Sequence, residues 1–491
     1  MNHSHNNTLN RCQLVAEVVA FVVIALVANH LFVPADAVSI VLSLAIAYTV
    51  PRWLYTSRSW CSSLGRWVFM ALGVAMAALT VLTIWKATLA VGHTLAEPLL
   101  FSDDRIYYSW ALHHYDGRCP EPEMAFPGLP LMMLWMWRLL GVSVVWPLAA
   151  NVMFTLLTVV VAAALTVRLL GGVTRQSATW HATMGLCLTA TLCFFISQGL
   201  RVQKEAIIYL AIALIGYVLA GMNARSTQSS RPLWRDVLLW CVACLMLALT
   251  RTTYLYFALI GLVIVAFSSW RTCGRRLGGL ALVALVAFVL GNFFASYSVG
   301  RHIDIVKGGY HMQQAFAING TQQPYLDLIG SYFMYPVWKR LTILPLACCV
   351  QFVIPFPWLY DHFTVLDILP RIAYGWYAVG GTVLFYYLMM FTRLGRSLGV
   401  GAWGWWPACI YVIIAYVVAG SVSRYLLPVE PMAVPLAVLV VARMRENLWR
   451  KAFAWWAVAF VVVLATTLVI CYNVQLSYLH ELDDYYQSLM Q

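Results

Sequence analysis

Asp103 and Asp104 stand side by side in the run Phe101-Ser102-Asp103-Asp104-Arg105-Ile106-Tyr107-Tyr108, just after a hydrophobic segment at 67–92. Carboxylates beside a bilayer are costly to hold and usually carry a task. Two roles suit such a pair. One aspartate is a general base that takes the proton of an acceptor hydroxyl. Its neighbour orients that hydroxyl or binds a divalent metal. The plain alternative makes both of them helix-capping acids in a wet loop. Asp103, Tyr107 and His114 fall at i, i+4 and i+11, one face of a helix, and Asp104, Tyr108 and Tyr115 fall on the adjoining face. Cys119-Pro-Glu-Pro-Glu123 breaks that helix, and a second short one is expected from Leu131 to Leu140, ended by Gly141.

Two further clusters have the same character. Leu200-Arg201-Val202-Gln203-Lys204-Glu205 places three charged residues before an apolar segment. Arg201 and Lys204 there are either snorkelling anchors or phosphate ligands, and Glu205 is either a dipole-matched helix start or a functional acid. Ser421-Val-Ser-Arg424-Tyr425-Leu-Leu-Pro428 puts an arginine and a tyrosine at a membrane edge. A guanidinium in such a place clamps phosphate oxygens well, and the tyrosine hydroxyl adds a donor. Arg301, His302, Lys307, His311, Lys339 and Arg340 make 301–340 the most basic stretch between two hydrophobic segments. That suits phosphate or pyrophosphate as well as a solvated loop.

The elements that must position these groups are membrane helices. Of the 491 residues 62% are hydrophobic and only 10% charged, with a mean hydropathy of +0.78. A soluble domain would carry about 25% charged residues. Backbone groups in lipid must bond within their own segment, so repeated apolar runs of about 20 residues read as helices. Thirteen are expected, near 13–34, 37–51, 67–92, 143–167, 177–197, 205–222, 237–250, 254–270, 277–295, 370–391, 399–420, 425–442 and 452–471. Segment 341–356, with Pro345 and Pro355, reads as a re-entrant or surface helix. The first apolar run is expected to be a retained helix and not a cleaved signal peptide.

With the N-terminus inside, the inner segments hold Arg11; Arg52, Arg58 and Arg66; Arg168 and Arg175; Arg225, Arg231 and Arg235; Arg271, Arg275 and Arg276; Arg393 and Arg396; and Arg443, Arg445, Arg450 and Lys451. Only Asp236 and Glu446 are acids on that side. The net charge of +12 therefore reports topology and not nucleic-acid binding. Both aspartates, Lys204-Glu205, Arg424-Tyr425 and the long polar stretches 93–142 and 296–369 come out on the opposite, outer side. The 12 cysteines are scattered, mostly within segments, and suggest buried thiols without a metal or disulfide framework.

On these motifs the chain resembles the glycosyltransferase C (GT-C) superfamily of polytopic membrane enzymes, and among them the protein O-mannosyltransferases and lipid A aminoarabinose transferases. An acidic pair before a tyrosine (Asp103-Asp104, Tyr107), a proline-rich juxtamembrane helix (Phe126-Pro-Gly-Leu-Pro130 through Gly141) and a late Arg-Tyr-x-x-Pro run (Arg424 to Pro428) carry the likeness over 67–442. The family's second outer aspartate is replaced here by Lys204-Glu205, and its double proline is split between Pro127 and Pro130. The resemblance implies an all-α polytopic fold with two extra helices in 1–66, a catalytic core at 67–442 and a last helix and outer tail at 443–491. It implies inverting transfer of a sugar from a polyprenyl-phosphate donor to a lipid-linked, glycan or protein acceptor, on the periplasmic or exterior side of a bacterial inner membrane.

In that scheme Asp103 is the base and Asp104 orients it or binds metal. Arg424, Tyr425, Lys204 and Arg201 hold the donor phosphate. Tyr107, His114, Glu205, Arg301 and His311 meet substrate. A magnesium or manganese ion on Asp104 and Glu205 is one option, and zinc through His113 and His114 a lesser one. Two other classes stay open. A polysaccharide polymerase acting on lipid-pyrophosphate-linked units would also use outer arginines. A transporter or flippase would place charges at mid-membrane and show repeated halves, of which this sequence has little trace.

Overall fold

Long apolar runs with few glycines or prolines inside them fold as helices, and the computed structural model is helical with no strand among the described residues. It describes residues 2–100, 102–118, 128–170, 175–223, 233–294, 336–353, 374–390, 400–418 and 428–443, together with positions 454 and 458. Contacts divide the chain into two units. One comprises Met1–Ser296 with Val400–Trp403, the other Tyr297–Gly399 with Gly404–Gln491.

The first unit begins with α1 (Asn2–Leu31), α2 (Pro34–Thr56) and α3 (Ser63–Ala87). Pro34 sits at the start of α2, where its missing N–H is no loss. Ser62 caps α3, its Oγ accepting from Gly65 N at 2.8 Å. α1 turns Val15, Val18, Val22 and Leu26 outward, as a lipid-facing helix does. Its one acid, Glu17, is buried and fully occupied: Arg52 Nη2 lies at 2.6 Å, and Tyr48 Oη and Gln13 Nε2 donate at 3.0 and 3.1 Å. That network ties α1 to α2, and Gln13 Nε2 also donates to Arg66 O in α3 at 3.3 Å.

Two short helices follow, α4 (Ser102–Tyr115) and α5 (Gly128–Leu140). They match the two short helices expected from the sequence, with α5 starting three residues earlier and ending at Gly141, whose φ of 84° stops it. The core is α6 (Val145–Leu170) packed on α7 (Arg175–Ala190), α9 (Glu205–Asn223) and α2. The segment expected at 177–197 is interrupted. α7 stops at Ala190, Thr191 Oγ1 turns back onto Leu188 O at 2.7 Å, and the short α8 (Cys193–Gln198) resumes. α10 (Leu233–Thr250) carries Asp236, one of the two acids expected on the inner side. Arg168 grips it with both guanidinium nitrogens, at 3.1 and 2.9 Å, beneath the Tyr217 ring at 4.3 Å. An acid on the basic side is thus accounted for by a bidentate partner.

The expected break at 271–276 is not there. α11 runs unbroken from Leu255 to Phe294, 40 residues. Nothing in Arg271-Thr-Cys-Gly-Arg-Arg276 interrupts a backbone ladder, since one glycine costs a helix only about 1 kcal/mol and no proline is present. A helix of that length measures about 60 Å, twice a hydrocarbon core.

In the second unit, α12 (Val337–Val353), α13 (Tyr374–Met390), α14 (Trp405–Val418) and α15 (Glu430–Arg443) pack in the pairs α13–α15 and α12–α14. α12 covers the segment read as re-entrant or surface and keeps Pro345 inside it. Tyr411 Oη donates to Cys348 O at 2.6 Å across the second pair. Among the described residues, five helices are long and apolar enough to cross a membrane: Arg11–Leu31, Pro34–Thr56, Ser63–Val91, Val145–Leu170 and Glu205–Met222. The chain is therefore an all-α, membrane-embedded protein. The other expected segments are shorter apolar helices, join within α11, or lie outside the described residues, as 452–471 does apart from positions 454 and 458.

Candidate functional site

α4 is amphipathic in function more than in hydropathy. Tyr108, on one side, donates to Leu95 O and Ala96 O at 3.2 and 3.0 Å and meets the Trp137 ring edge-on at 4.8 Å. Trp137 is fully buried in α5, and its Nε1 donates to Ser143 O at 2.9 Å. These contacts lock the roll of α4 against α5. Burial lifts the Tyr108 phenol above its usual range, so it serves as a donor and anchor.

With that roll set, Asp104 points inward at 7% exposure. Its Oδ1 accepts from Gln203 Nε2 at 2.6 Å and lies 3.2 Å from Arg201 Nη2. Its Oδ2 accepts from Val202 N at 3.3 Å and Arg201 Nε at 3.4 Å. Asn151 in α6 completes the latch from below, donating through Nδ2 to Arg201 O at 2.6 Å and Gln203 O at 2.8 Å. One carboxylate and one amide thus fix the 201–204 turn between α8 and α9. Burial pushes the Asp104 carboxyl above the usual carboxylate range, and Arg201, Gln203 and the Val202 N–H pull against it.

Asp103 lies half-buried on the adjoining face. The latched turn carries Lys204 over the Tyr107 ring, with Nζ at 5.4 Å from its centroid. Tyr107 is itself buried. One helical repeat further on, the Trp110 and His114 rings lie 3.9 Å apart, and Trp110 Nε1 is buried without a protein acceptor. Asp103, Tyr107, Trp110 and His114 therefore line one aromatic face of α4 that begins with a carboxylate and is approached by an ammonium. Glu205, at 4% exposure, opens α9 immediately after Lys204.

The structure pairs Asp104 with Arg201 and Tyr107 with Lys204, and sets Asp103 and His114 on the same face of α4 as Tyr107. Arg201, expected as a phosphate ligand, is engaged by Asp104. Arg424, Tyr425, Arg301 and His311 lie outside the described residues. Gln203, Asn151 and Trp110 were missed. Asn151 had a readable signal, an amide inside the apolar run 143–167, and Trp110 sits at the helical step between Tyr107 and His114.

The metal option fits poorly on the donor set. Asp104 offers no open oxygen, since each already meets two donors, and among the described residues no three His, Cys, Asp or Glu side chains converge. The described cysteines are free thiols. Compared with known proteins, the chain matches no family model, no curated sequence and no solved structure.

Proposed function

We propose that this protein is a membrane glycosyltransferase that moves a sugar from a polyprenyl-phosphate carrier to an acceptor hydroxyl on the extracytoplasmic side, with inversion. The observation that supports the reading is the unlike treatment of two adjacent aspartates. Asp104 uses both oxygens to organise the 201–204 turn, and that turn carries Lys204 to the Tyr107 side of α4, where Asp103 begins the face.

In this reading Asp103 accepts the proton of the acceptor hydroxyl as that oxygen attacks the anomeric carbon. The bond from the anomeric carbon to the lipid phosphate breaks, and its electron pair leaves on the phosphate. Lys204 neutralises the phosphate charge that develops, which is where a fixed cation contributes most. Tyr107, Trp110 and His114 offer ring faces and donors to a sugar. Asp104 and Arg201 position the turn. No step is assigned to a metal.

The test is transfer from a labelled polyprenyl-phosphate sugar by membranes carrying Asp103→Asn, Lys204→Gln, Arg424→Ala or Tyr425→Phe. Loss of a general base typically costs about a hundredfold or more, and Asp103→Asn is expected to fall in that range at unchanged expression. Full activity in Asp103→Asn and Lys204→Gln would overturn the assignment. Turnover only with a lipid-pyrophosphate-linked oligosaccharide would favour a polymerase, and vectorial movement without a new glycosidic bond would favour a flippase.

A further inference from the structure

A second concavity lies away from the α4 face, between the start of α3 and the first turns of α7. Ser62, Leu64, Gln176, Thr179, Trp180 and Thr183 line an open cleft of about 610 Å³. Its floor is firm. Thr183 Oγ1 donates to Thr179 O at 2.8 Å, and Ser62 Oγ lies 2.6 Å from that hydroxyl while it caps α3.

Three observations point to the occupant. The first is level. α2 ends at Thr56 and α3 starts at Ser63, both of them helices able to cross a membrane, so the cleft opens where those spans leave the bilayer. The second is mixed chemistry. Leu64 is 60% exposed at one edge and Trp180 is half-buried, while the hydroxyls and the exposed Gln176 amide form the rest of the wall. Acyl chains alone would leave that wall unmatched, whereas a headgroup above the first acyl carbons meets both kinds of surface, and tryptophan favours that depth. The third is charge. The loop that contributes Ser62 carries Arg58, the first turn of α3 carries Arg66, α7 begins at Arg175, and 52–66 and 168–176 contain no acid. Arg58 is exposed, and Arg66 is close enough to Cys61 to hold that thiol down against the upward push of burial.

We propose that this cleft binds the headgroup of an anionic phospholipid from the leaflet that the arginine-rich loops face. Its size suits a small-molecule site, and arginines beside a cleft at the membrane surface attract anionic headgroups. The site is independent of the sugar-transfer reading.

Short-chain phosphatidylglycerol and phosphatidylcholine are titrated against the purified full-length protein in detergent, with bound lipid counted by native mass spectrometry. Phosphatidylglycerol is expected to bind at least about fivefold more tightly, the worth of one arginine at an anionic surface. Arg58→Gln with Arg66→Gln should remove most of that preference, whereas Gln176→Ala with Trp180→Ala, and separately Leu64→Ala, should weaken binding of both lipids. Trp135→Ala, an exposed tryptophan on α5, should leave it intact and serves as the folding control. Equal binding of the two lipids would overturn the proposal. So would full retention of the preference in the arginine variant, unchanged binding in both cleft variants, or displacement of the lipid by millimolar inorganic phosphate, which would mark a site for free phosphate.

Discussion

Replacing Asp104 by asparagine removes one acceptor from a site that uses two. In the parent, Gln203 Nε2 and Arg201 Nη2 meet Oδ1, and Val202 N and Arg201 Nε meet Oδ2. An amide carries a single acceptor oxygen. If that oxygen stays on Gln203, the shortest of the four contacts, the Val202 N–H faces the new NH2 group. A buried backbone donor left without an acceptor costs about 1–3 kcal/mol. The lost attraction to Arg201 adds less, because that side chain is 39% exposed and water screens the pair. A loss of about 2 kcal/mol is therefore expected for Asp104→Asn, and about 1 kcal/mol or less for Arg201→Gln. The two changes break one network, so the double variant should cost less than the sum by about 0.5–1 kcal/mol. Equilibrium unfolding in mixed micelles, following tryptophan fluorescence, measures all three. Asp103→Asn, on the adjoining face, should cut transfer about a hundredfold or more while costing under half as much stability. Unfolding of Asp104→Asn within error of the parent, or strict additivity with Arg201→Gln, would refute the latch.

Three other outcomes are expected. Burial holds the Asp104 carboxyl above its ordinary range, so the folded state binds that proton first. Its contribution is fully present below about pH 4 and is lost as pH rises through the raised folded value. The parent should show that decline and Asp104→Asn should not, and matching slopes in the two would refute the assignment. Gly199→Ala would bring a Cβ to 2.3 Å from Thr155 Oγ1 and 3.0 Å from Thr155 Cβ, forcing the turn off α6. A loss of about 1–3 kcal/mol, partly restored by Thr155→Ala in which the clashing hydroxyl is gone, is expected in the same unfolding assay, and a neutral Gly199→Ala would contradict the packing. Because α11 runs unbroken through Arg271, Arg275 and Arg276, reporter fusions ending at residue 276 and at residue 300 should report the same side of the membrane. Opposite sidedness for the two would mean that the helix breaks near 271–276 and returns across the bilayer.

Much of the helix register was legible because it is local. Apolar run length marked α1, α2, α3, α6 and α9, and Gly141 marked the end of α5. The 271–276 loop was misjudged because charge alone does not stop a helix, and no residue there does. The 177–197 segment was read as one helix because a break at Thr191 leaves no proline or glycine to announce it.

The sequence by itself determined that this chain is a bundle of membrane helices, that its arginines gather in short loops, and that two aspartates head one amphipathic helix. It could not decide between those aspartates. Neighbouring residues on a helix point about 100° apart, so their roles depend on how the helix is rolled. The Tyr108 and Trp137 contacts with α5 set that roll, and they turn Asp104 onto a turn 97 residues away in the chain while Asp103 keeps the aromatic face with Tyr107 and Lys204. Partners that far apart leave no periodicity to read, and only packing in three dimensions selects which carboxylate is spent on structure.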